Sequence, residues 1–154
     1  MRIRVIREGK PKDARLRALQ ADYEERIRHF IEIRLEEQSA VGRGGVGRSQ
    51  KLSATERKWL EGLRGSVKVL LDPLGRELTS EEFAEWLGER AVRGTRDVVF
   101  LVGGDRGFAA AVRDEANLLL GLSRMTFTHD WACTVLLEQI YRAFTILRGY
   151  PYAK

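Results

Sequence analysis

The chain has 154 residues, of which 44% are hydrophobic and 32% are charged, a balance typical of a globular protein that buries one core. No stretch approaches the roughly 18 consecutive apolar residues of a membrane-spanning helix, and the alternating residues 2–7 predict a strand rather than a signal peptide. The single cysteine, Cys133, excludes an internal disulfide and indicates a reducing, cytoplasmic location; with two histidines, a structural zinc site is not expected.

The net charge of +5 is unevenly distributed along the chain. Residues 1–64 contain 16 Lys and Arg against 10 Asp and Glu, whereas residues 65–154 contain 11 against 12. The positive excess therefore lies in the first half. Because a local positive field attracts phosphate groups and raises encounter rates, a nucleic-acid partner is favoured over a chance excess of basic residues.

Strands and helices alternate in the predicted structure of the first half. The strand at 2–7 is followed by apolar residues at helical spacing between residues 13 and 29, and residues 31–35 alternate as a second strand. Ser53 and Glu56 have the spacing of a capping box, which predicts the start of a second helix.

A basic, glycine-rich loop at 42–51 separates that strand from the second helix. It contains four glycines, three cations and no acidic residue, a composition typical of a solvated loop. We expect four basic residues to contact a nucleic-acid backbone: Arg43, Arg48 and Lys51 in this loop, and Lys154 at the other end of the chain.

The second half continues the same alternation. Residues 67–71 form a continuous apolar strand that stops at residues 72–75, and Thr79 with Glu82 opens a helix as a capping box. The remaining predictions are a strand at 97–102, a helix at 109–120, a short strand at 124–127 and a long helix at 130–148. This order predicts an α/β fold in one domain, residues 1–154, with a mostly parallel sheet and helices on both faces.

A glycine turn directly follows the strand at 97–102. Residues 103–107, Gly-Gly-Asp-Arg-Gly, lie between a strand and a helix, where backbone N–H groups often face a ligand. The turn lacks the Gly-Lys-Ser/Thr of a phosphate-binding loop and the Gly-x-Gly-x-x-Gly spacing of a dinucleotide turn. It fits a ligand site and equally a tight turn that requires positive φ.

The last predicted helix combines an apolar surface with one polar row. Because it is apolar almost all round, it must be buried on more than one side, and one side could face a second subunit. Thr134, Glu138 and Arg142 fall four residues apart on one face. They form either a plain Glu–Arg pair or an arginine that binds a substrate phosphate or base and is held by Glu138.

A histidine and a tyrosine-rich tail flank that helix. His129 lies at its start, where it is either a capping or packing residue or part of a site beside the loop at 122–127. The tail Tyr150-Pro151-Tyr152 is either a packed terminus or a surface on which a base stacks.

Together these motifs resemble the small SPOUT-class methyltransferases that modify pseudouridine in large-subunit ribosomal RNA. The resemblance covers the whole chain and is carried by the Gly103-Gly104 turn, the Leu122-Ser123-x-x-Thr126-Phe127 loop, His129, Tyr141-Arg142-Ala143 and Pro151-Tyr152. It implies an α/β fold whose C-terminal part, residues 97–154, threads through a loop as a trefoil knot, an exception to the rule that chains are unknotted. It also implies a homodimer that transfers a methyl group from S-adenosylmethionine to N3 of a pseudouridine in the helix 69 loop of 23S rRNA, on the ribosome.

The resemblance also implies roles for individual residues. The implied cofactor-binding residues are Leu71, Gly103, Leu122, Ser123, Arg124, Met125, Thr126 and Phe127. Arg142, His129 and Tyr152 are expected on the substrate side, with the tail contributed by the partner subunit. There they would position the base and handle its N3 proton.

Some residues differ from the usual pattern of that family. They are Asp130 in place of Pro, Cys133 in place of Arg, Ala153 in place of His, and Asp105-Arg106 in place of Pro-Glu. With Ala153 in place of His, the tail has no histidine to accept a proton. Arg124 or Arg106 is the candidate to supply the positive charge that Cys133 does not carry. Two alternatives stay open: a SPOUT enzyme with another RNA target, such as a ribose 2′-hydroxyl, and a ribosome-binding protein without activity.

Overall fold

The computed structural model describes residues 1–38, 52, 54–104 and 107–152. These residues form five strands and five helices in alternation: β1 Arg2–Glu8, α1 Ala14–Arg28, β2 Glu32–Gln38, α2 Ala54–Gly62, β3 Val67–Glu77, α3 Ser80–Val92, β4 Asp97–Val102, α4 Ala110–Arg113, β5 Leu118–Gly121 and α5 His129–Leu147. The predicted α/β alternation is confirmed. The basic loop with Arg43, Arg48 and Lys51, the Ser53 cap, the pair at 105–106 and Lys154 lie outside the described residues.

The five strands form one sheet in the order β2-β1-β4-β3-β5, and each pairing is parallel. Val69 of β3 pairs with Phe100 of β4 on one side and with Leu118 of β5 on the other. Because parallel strands end at the same edge, the loops that follow β3, β4 and β5 converge there. That edge is where an α/β sheet binds a ligand.

Helices cover both faces of the sheet. On one face α1, α3 and α5 enclose the larger core, which includes Ile27, Leu87 and Ile140. On the other face α2 and α4 pack over a smaller cluster that includes Leu70 and Val112. The neighbouring strands β3 and β4 are thus followed by helices on opposite faces, and their connections diverge to leave a crevice between them. Within the described chain, no helix has the length and hydropathy needed to cross a membrane.

The predicted capping box at the start of α3 is confirmed. The amide of Glu82 donates to the Thr79 hydroxyl at 3.1 Å, and the amide of Thr79 donates to the Glu82 carboxylate at 2.7 Å. Reciprocal capping satisfies two of the amides that a helix N-terminus leaves unpaired. The last helix also begins and ends within one residue of its predicted bounds.

The prediction that β3 stops at residues 72–75 is wrong. Residues 72–75 leave the sheet as an outward excursion, after which the strand continues to Glu77. Leu71 and Arg76 both pair with Leu120, so the strand resumes where it left. The return is possible because Gly75 has no side chain: a Cβ there would lie 2.7 Å from the carbonyl carbon and oxygen of Leu119.

Two further predictions, a helix at 109–120 and a strand at 124–127, are also wrong. The helix α4 covers only Ala110–Arg113, residues 118–121 are β5, and residues 124–127 form a loop without regular structure. Asn117 starts β5: its amide donates to the Lys68 carbonyl at 2.9 Å, and its side chain accepts from the Lys68 amide at 2.8 Å. A short apolar run in the sequence fits a helix or a strand equally well. Residues 118–121 form a strand because they pair with the free edge of β3.

Replacing Gly75 with Ala should destabilise the protein by pushing the end of the β3 excursion away from β5. The added Cβ meets backbone atoms that have no rotamer to move, so we expect a loss of about 1–3 kcal/mol in the free energy of unfolding by urea. Gly62→Ala is the matched control, because a Cβ there meets nothing within 4 Å. Equal stability of the two variants would contradict the close contact.

Candidate active site

A cavity of about 570 Å³ lies at the carboxyl edge of β3, β4 and β5. Leu71 and the excursion that follows form one wall, Gly103 and Gly104 form the floor after β4, and most of the segment at 122–129 forms the opposite wall. Its volume falls within the roughly 300–1,000 Å³ of small-molecule sites. The crevice expected between diverging connections is therefore present.

The structure brings together seven of the eight residues expected to bind a cofactor. Those lining the cavity are Leu71, Gly103, Leu122, Ser123, Met125, Thr126 and Phe127. Arg124 belongs to the same loop but does not line the cavity. The loop is held locally by the Ser123 hydroxyl, which accepts from the Met125 amide at 3.0 Å.

The glycine turn after β4 is both tight and exposed to the cavity. A Cβ on Gly103 would lie 3.0 Å from the ring of Phe108, and one on Gly104 would collide with the Glu8 carboxylate. Gly107 adopts φ of 61°, which favours glycine. The turn therefore fits both interpretations: its close contacts and positive φ require glycine, and its backbone lines a cavity that could hold a ligand.

Asp72 is a cavity residue that the sequence did not reveal. It is 7% exposed, and it is the one acidic side chain among the described residues that line the cavity. One carboxylate oxygen accepts from the Leu74 amide at 2.9 Å, and the other lies 2.6 Å from the Arg113 guanidinium. The pair fixes the excursion of β3 against α4. No sequence signal connects positions 72 and 113, because only the fold brings them together.

His129 is the first residue of α5 and lines the cavity wall. Its side chain is partly exposed, and its Nε2 lies 3.3 Å from a carboxylate oxygen of Asp130. The N-cap residue Thr128 makes no side-chain capping hydrogen bond, so packing and neighbouring groups must hold this first turn. A histidine here can exchange a proton with a molecule in the cavity.

Arg142 and Tyr152 form a second polar cluster with Glu138. Arg142 donates to Glu138 from Nε at 3.1 Å and from Nη2 at 2.8 Å, and the Tyr152 hydroxyl donates to the same oxygen at 3.1 Å. The guanidinium carbon lies 5.1 Å from the centre of the Tyr152 ring. The pattern of residues four apart thus yields the Glu–Arg pair, and Tyr152 completes it.

Tyr152 is held on its own chain and stays protonated. Its ring meets that of Tyr141 edge-on at 4.7 Å between centroids, and its hydroxyl lies 3.4 Å from that of Tyr23. Burial, followed by the hydrogen bond with Tyr23, raises the pKa of Tyr152 far above its usual value. At neutral pH this phenol is a hydrogen-bond donor and not a base.

His129 and the cluster around Arg142 lie far apart along α5. His129 and Arg142 are 13 residues apart on one helix, which corresponds to about 20 Å. Neither Arg142 nor Tyr152 lines the cavity. One chain therefore brings His129 to the cavity and places the other two expected substrate-side residues elsewhere. Within the part of the chain that the structure describes, no cluster of three or more His, Cys, Asp and Glu residues could hold a metal ion.

Cys133 belongs to the core of the protein. It is fully buried in the first half of α5, and burial raises the pKa of its thiol to about 12. Near pH 8 such a thiol has a roughly thousandfold smaller thiolate fraction than one with the ordinary pKa of about 8.5.

We therefore expect iodoacetamide to modify Cys133 very slowly in the folded protein, because the thiolate is the nucleophile. Mass spectrometry of protein alkylated at pH 8, with and without urea, measures the difference. The unfolded sample is the control and should react at the rate of a free thiol. Equal rates in both samples would mean that the thiol is accessible and ionised.

The fold and the cavity define an α/β protein with a small-molecule site at the carboxyl edge of a parallel sheet. A family model described as a predicted SPOUT methyltransferase matches residues 1–153, and the chain belongs to this family.

Curated relatives agree along the full length. The chain is 37% identical over 152 residues to Ribosomal RNA large subunit methyltransferase H of Geobacter sp. (strain M21), covering 99% of this chain and 98% of the relative. It is 36% identical over 152 residues to the protein of that name from Deinococcus radiodurans, with 99% and 98% covered. It is 32% identical over 159 residues to the putative protein of that name from Methanococcus vannielii, with both chains fully covered.

Proposed function

We propose that the protein is an S-adenosylmethionine-dependent methyltransferase of large-subunit ribosomal RNA that methylates N3 of a pseudouridine in the helix 69 loop of 23S rRNA. The cavity carries this proposal, because it gathers seven motif residues and His129 at the carboxyl edge of the sheet. Membership of the SPOUT methyltransferase family and the names of the relatives support it. The family also implies the trefoil knot within residues 97–154, which stays a prediction.

The cavity suits S-adenosylmethionine in size and chemistry. Leu71, Leu122 and Phe127 offer apolar walls for the adenine, and backbone groups of the glycine turn lie alongside. Asp72, whose charge is balanced by Arg113, holds the wall formed by the β3 excursion in place. When bound, the cofactor supplies an activated methyl group together with its own leaving group.

The residues of this chain must position the base and deal with its N3 proton. His129 is at the cavity and is placed to accept that proton. Arg142 is permanently charged, because its hydrogen bond to Glu138 raises an already high pKa, and it would stabilise the negative charge left on the ring. Tyr152 is a neutral donor beside it.

A homodimer is proposed because one chain separates these groups by about 20 Å along α5. In the dimer, the Arg142–Glu138–Tyr152 cluster of one protomer would face the cavity of its partner. Apolar side chains beside the cavity are available for such an interface: Phe127 is partly exposed and Trp131 is 50% exposed.

The basic first half suggests where the RNA is held. We propose that Arg43, Arg48, Lys51 and Lys154 bind its phosphate backbone, since the positive excess of the chain lies within residues 1–64. A ribosomal substrate also implies a cytoplasmic location.

Filling the cavity should block cofactor binding without unfolding the protein. Ala132→Leu adds three carbon atoms at a position that lines the cavity, so we expect the dissociation constant of S-adenosylmethionine to rise about tenfold or more in calorimetry. Ala110→Leu adds the same atoms at an exposed position of α4 and should bind normally. Unchanged binding to both variants would place the cofactor elsewhere.

Arg142→Ala should abolish methyl transfer while leaving cofactor affinity unchanged. Removing a charge that stabilises the reacting base typically lowers kcat by about 10²–10³, whereas Arg142 does not line the cavity. Single-turnover methylation and calorimetry measure the two quantities separately. Arg148→Ala, an exposed arginine one turn and a half further on, serves as the control. A weakened cofactor affinity with normal kcat would contradict the assigned role.

The decisive experiment incubates the protein with tritiated S-adenosylmethionine and either ribosomes that lack the modification or protein-free rRNA. Label at N3 of one pseudouridine on ribosomes would establish the function and its need for a composite site. Mass spectrometry that maps the label to a ribose 2′-hydroxyl would establish the alternative RNA target. No label on either substrate, despite proven cofactor binding, would indicate a ribosome-binding protein without activity.

A further inference from the structure

A buried cation lies directly beneath the first turn of α5. Arg7, the second-last residue of β1, is 8% exposed and donates to the side-chain oxygen of Gln20 in α1. Its other terminal nitrogen lies 3.3 Å from the Glu37 carboxylate. Its Nε has no hydrogen-bond partner among the residues that the structure describes. A cation so buried is costly unless the fold uses it.

Gln20 connects Arg7 to the last helix, α5, through hydrogen bonds. It is 1% exposed, and its amide nitrogen donates to the Asp130 carbonyl at 3.0 Å and to the Thr134 hydroxyl at 2.9 Å. The Thr134 hydroxyl in turn donates to the Asp130 carbonyl at 2.8 Å. These bonds close the network around the first turn of the helix.

The direction of the network depends on Arg7. An arginine can only donate, so Gln20 must present its oxygen to Arg7 and its amide nitrogen to α5, where two acceptors lie. Without the cation the amide is free to turn, and the bonds to α5 lose their orientation. This matters because Thr128 supplies no side-chain cap to that turn, which carries His129 and Ala132 on the cavity wall.

We propose that Arg7 is a positioning residue for the first turn of α5, acting through Gln20. The inference deepens the proposed function and rests on it for the role of the cavity. The network itself holds the helix whatever the cavity binds.

The test removes the cation and follows the first turn of α5. Arg7→Ala should raise the dissociation constant of S-adenosylmethionine about tenfold, as expected for loss of a buried hydrogen-bond partner, and should speed hydrogen exchange at the amides of Ala132 and Cys133 by a similar factor.

A second variant keeps the test informative if Arg7→Ala fails to fold. Gln20→Glu retains a partner for Arg7 but has no amide nitrogen to donate to Asp130, so it should speed exchange in the first turn of α5 with a smaller change in Tm. Arg4→Ala is the matched control: it removes a cation of the same strand that pairs with Glu36 and does not contact α5.

Unchanged exchange in Arg7→Ala and Gln20→Glu would overturn the proposal. A fall in Tm without faster exchange in the first turn of α5 would mean that Arg7 stabilises the fold only generally. Hydrogen exchange needs no cofactor. If the starting protein bound no S-adenosylmethionine, the proposed function would fail while the exchange comparison still decided the role of Arg7.

Discussion

The double pairing of β3 with β5 is the contact on which the site depends. Leu71 and Arg76 pair with the same residue of β5, so the four residues between them must leave the sheet. That excursion forms one wall of the cavity and is anchored by the Asp72–Arg113 ion pair. The position of β5 also fixes where the segment at 122–129 begins, and therefore where α5 starts. One strand pairing thus sets two opposite walls.

Much of the fold follows from local patterns in the sequence. Helical spacing predicts α1 and α5, the Thr79–Glu82 capping box predicts α3, and the apolar run at 97–102 predicts β4. The region between α4 and α5 does not follow, because Leu118–Gly121 is a strand only through its bonds to β3. The same holds for the site. Motif spacing predicts the loop residues that line the cavity. It does not predict the roles of Asp72, Arg113, Arg7 and Gln20, which depend on contacts between segments far apart in the chain.

The last helix combines structural and chemical roles along its length. Its middle belongs to the core, since Leu136, Leu137 and Ile140 are fully buried. Its first turn carries His129 to the cavity, and its later turns hold Arg142 against Glu138 and the tail. Because a helix is stiff, His129 and Arg142 keep a fixed separation of about 20 Å, which is why the proposed site takes them from two protomers.

The contact between Gly75 and β5 is made by main-chain atoms, so it constrains length more than composition. Leu74 at the tip of the excursion is 90% exposed, and many side chains would fit there without altering the return of the strand. A deletion or insertion of one residue between Leu71 and Arg76 would shift Arg76 out of register with Leu120 and turn the following side chains to the other face of the sheet. The exposed tip of this wall therefore accepts substitution, whereas Gly75, Asp72 and the number of residues in the excursion are constrained.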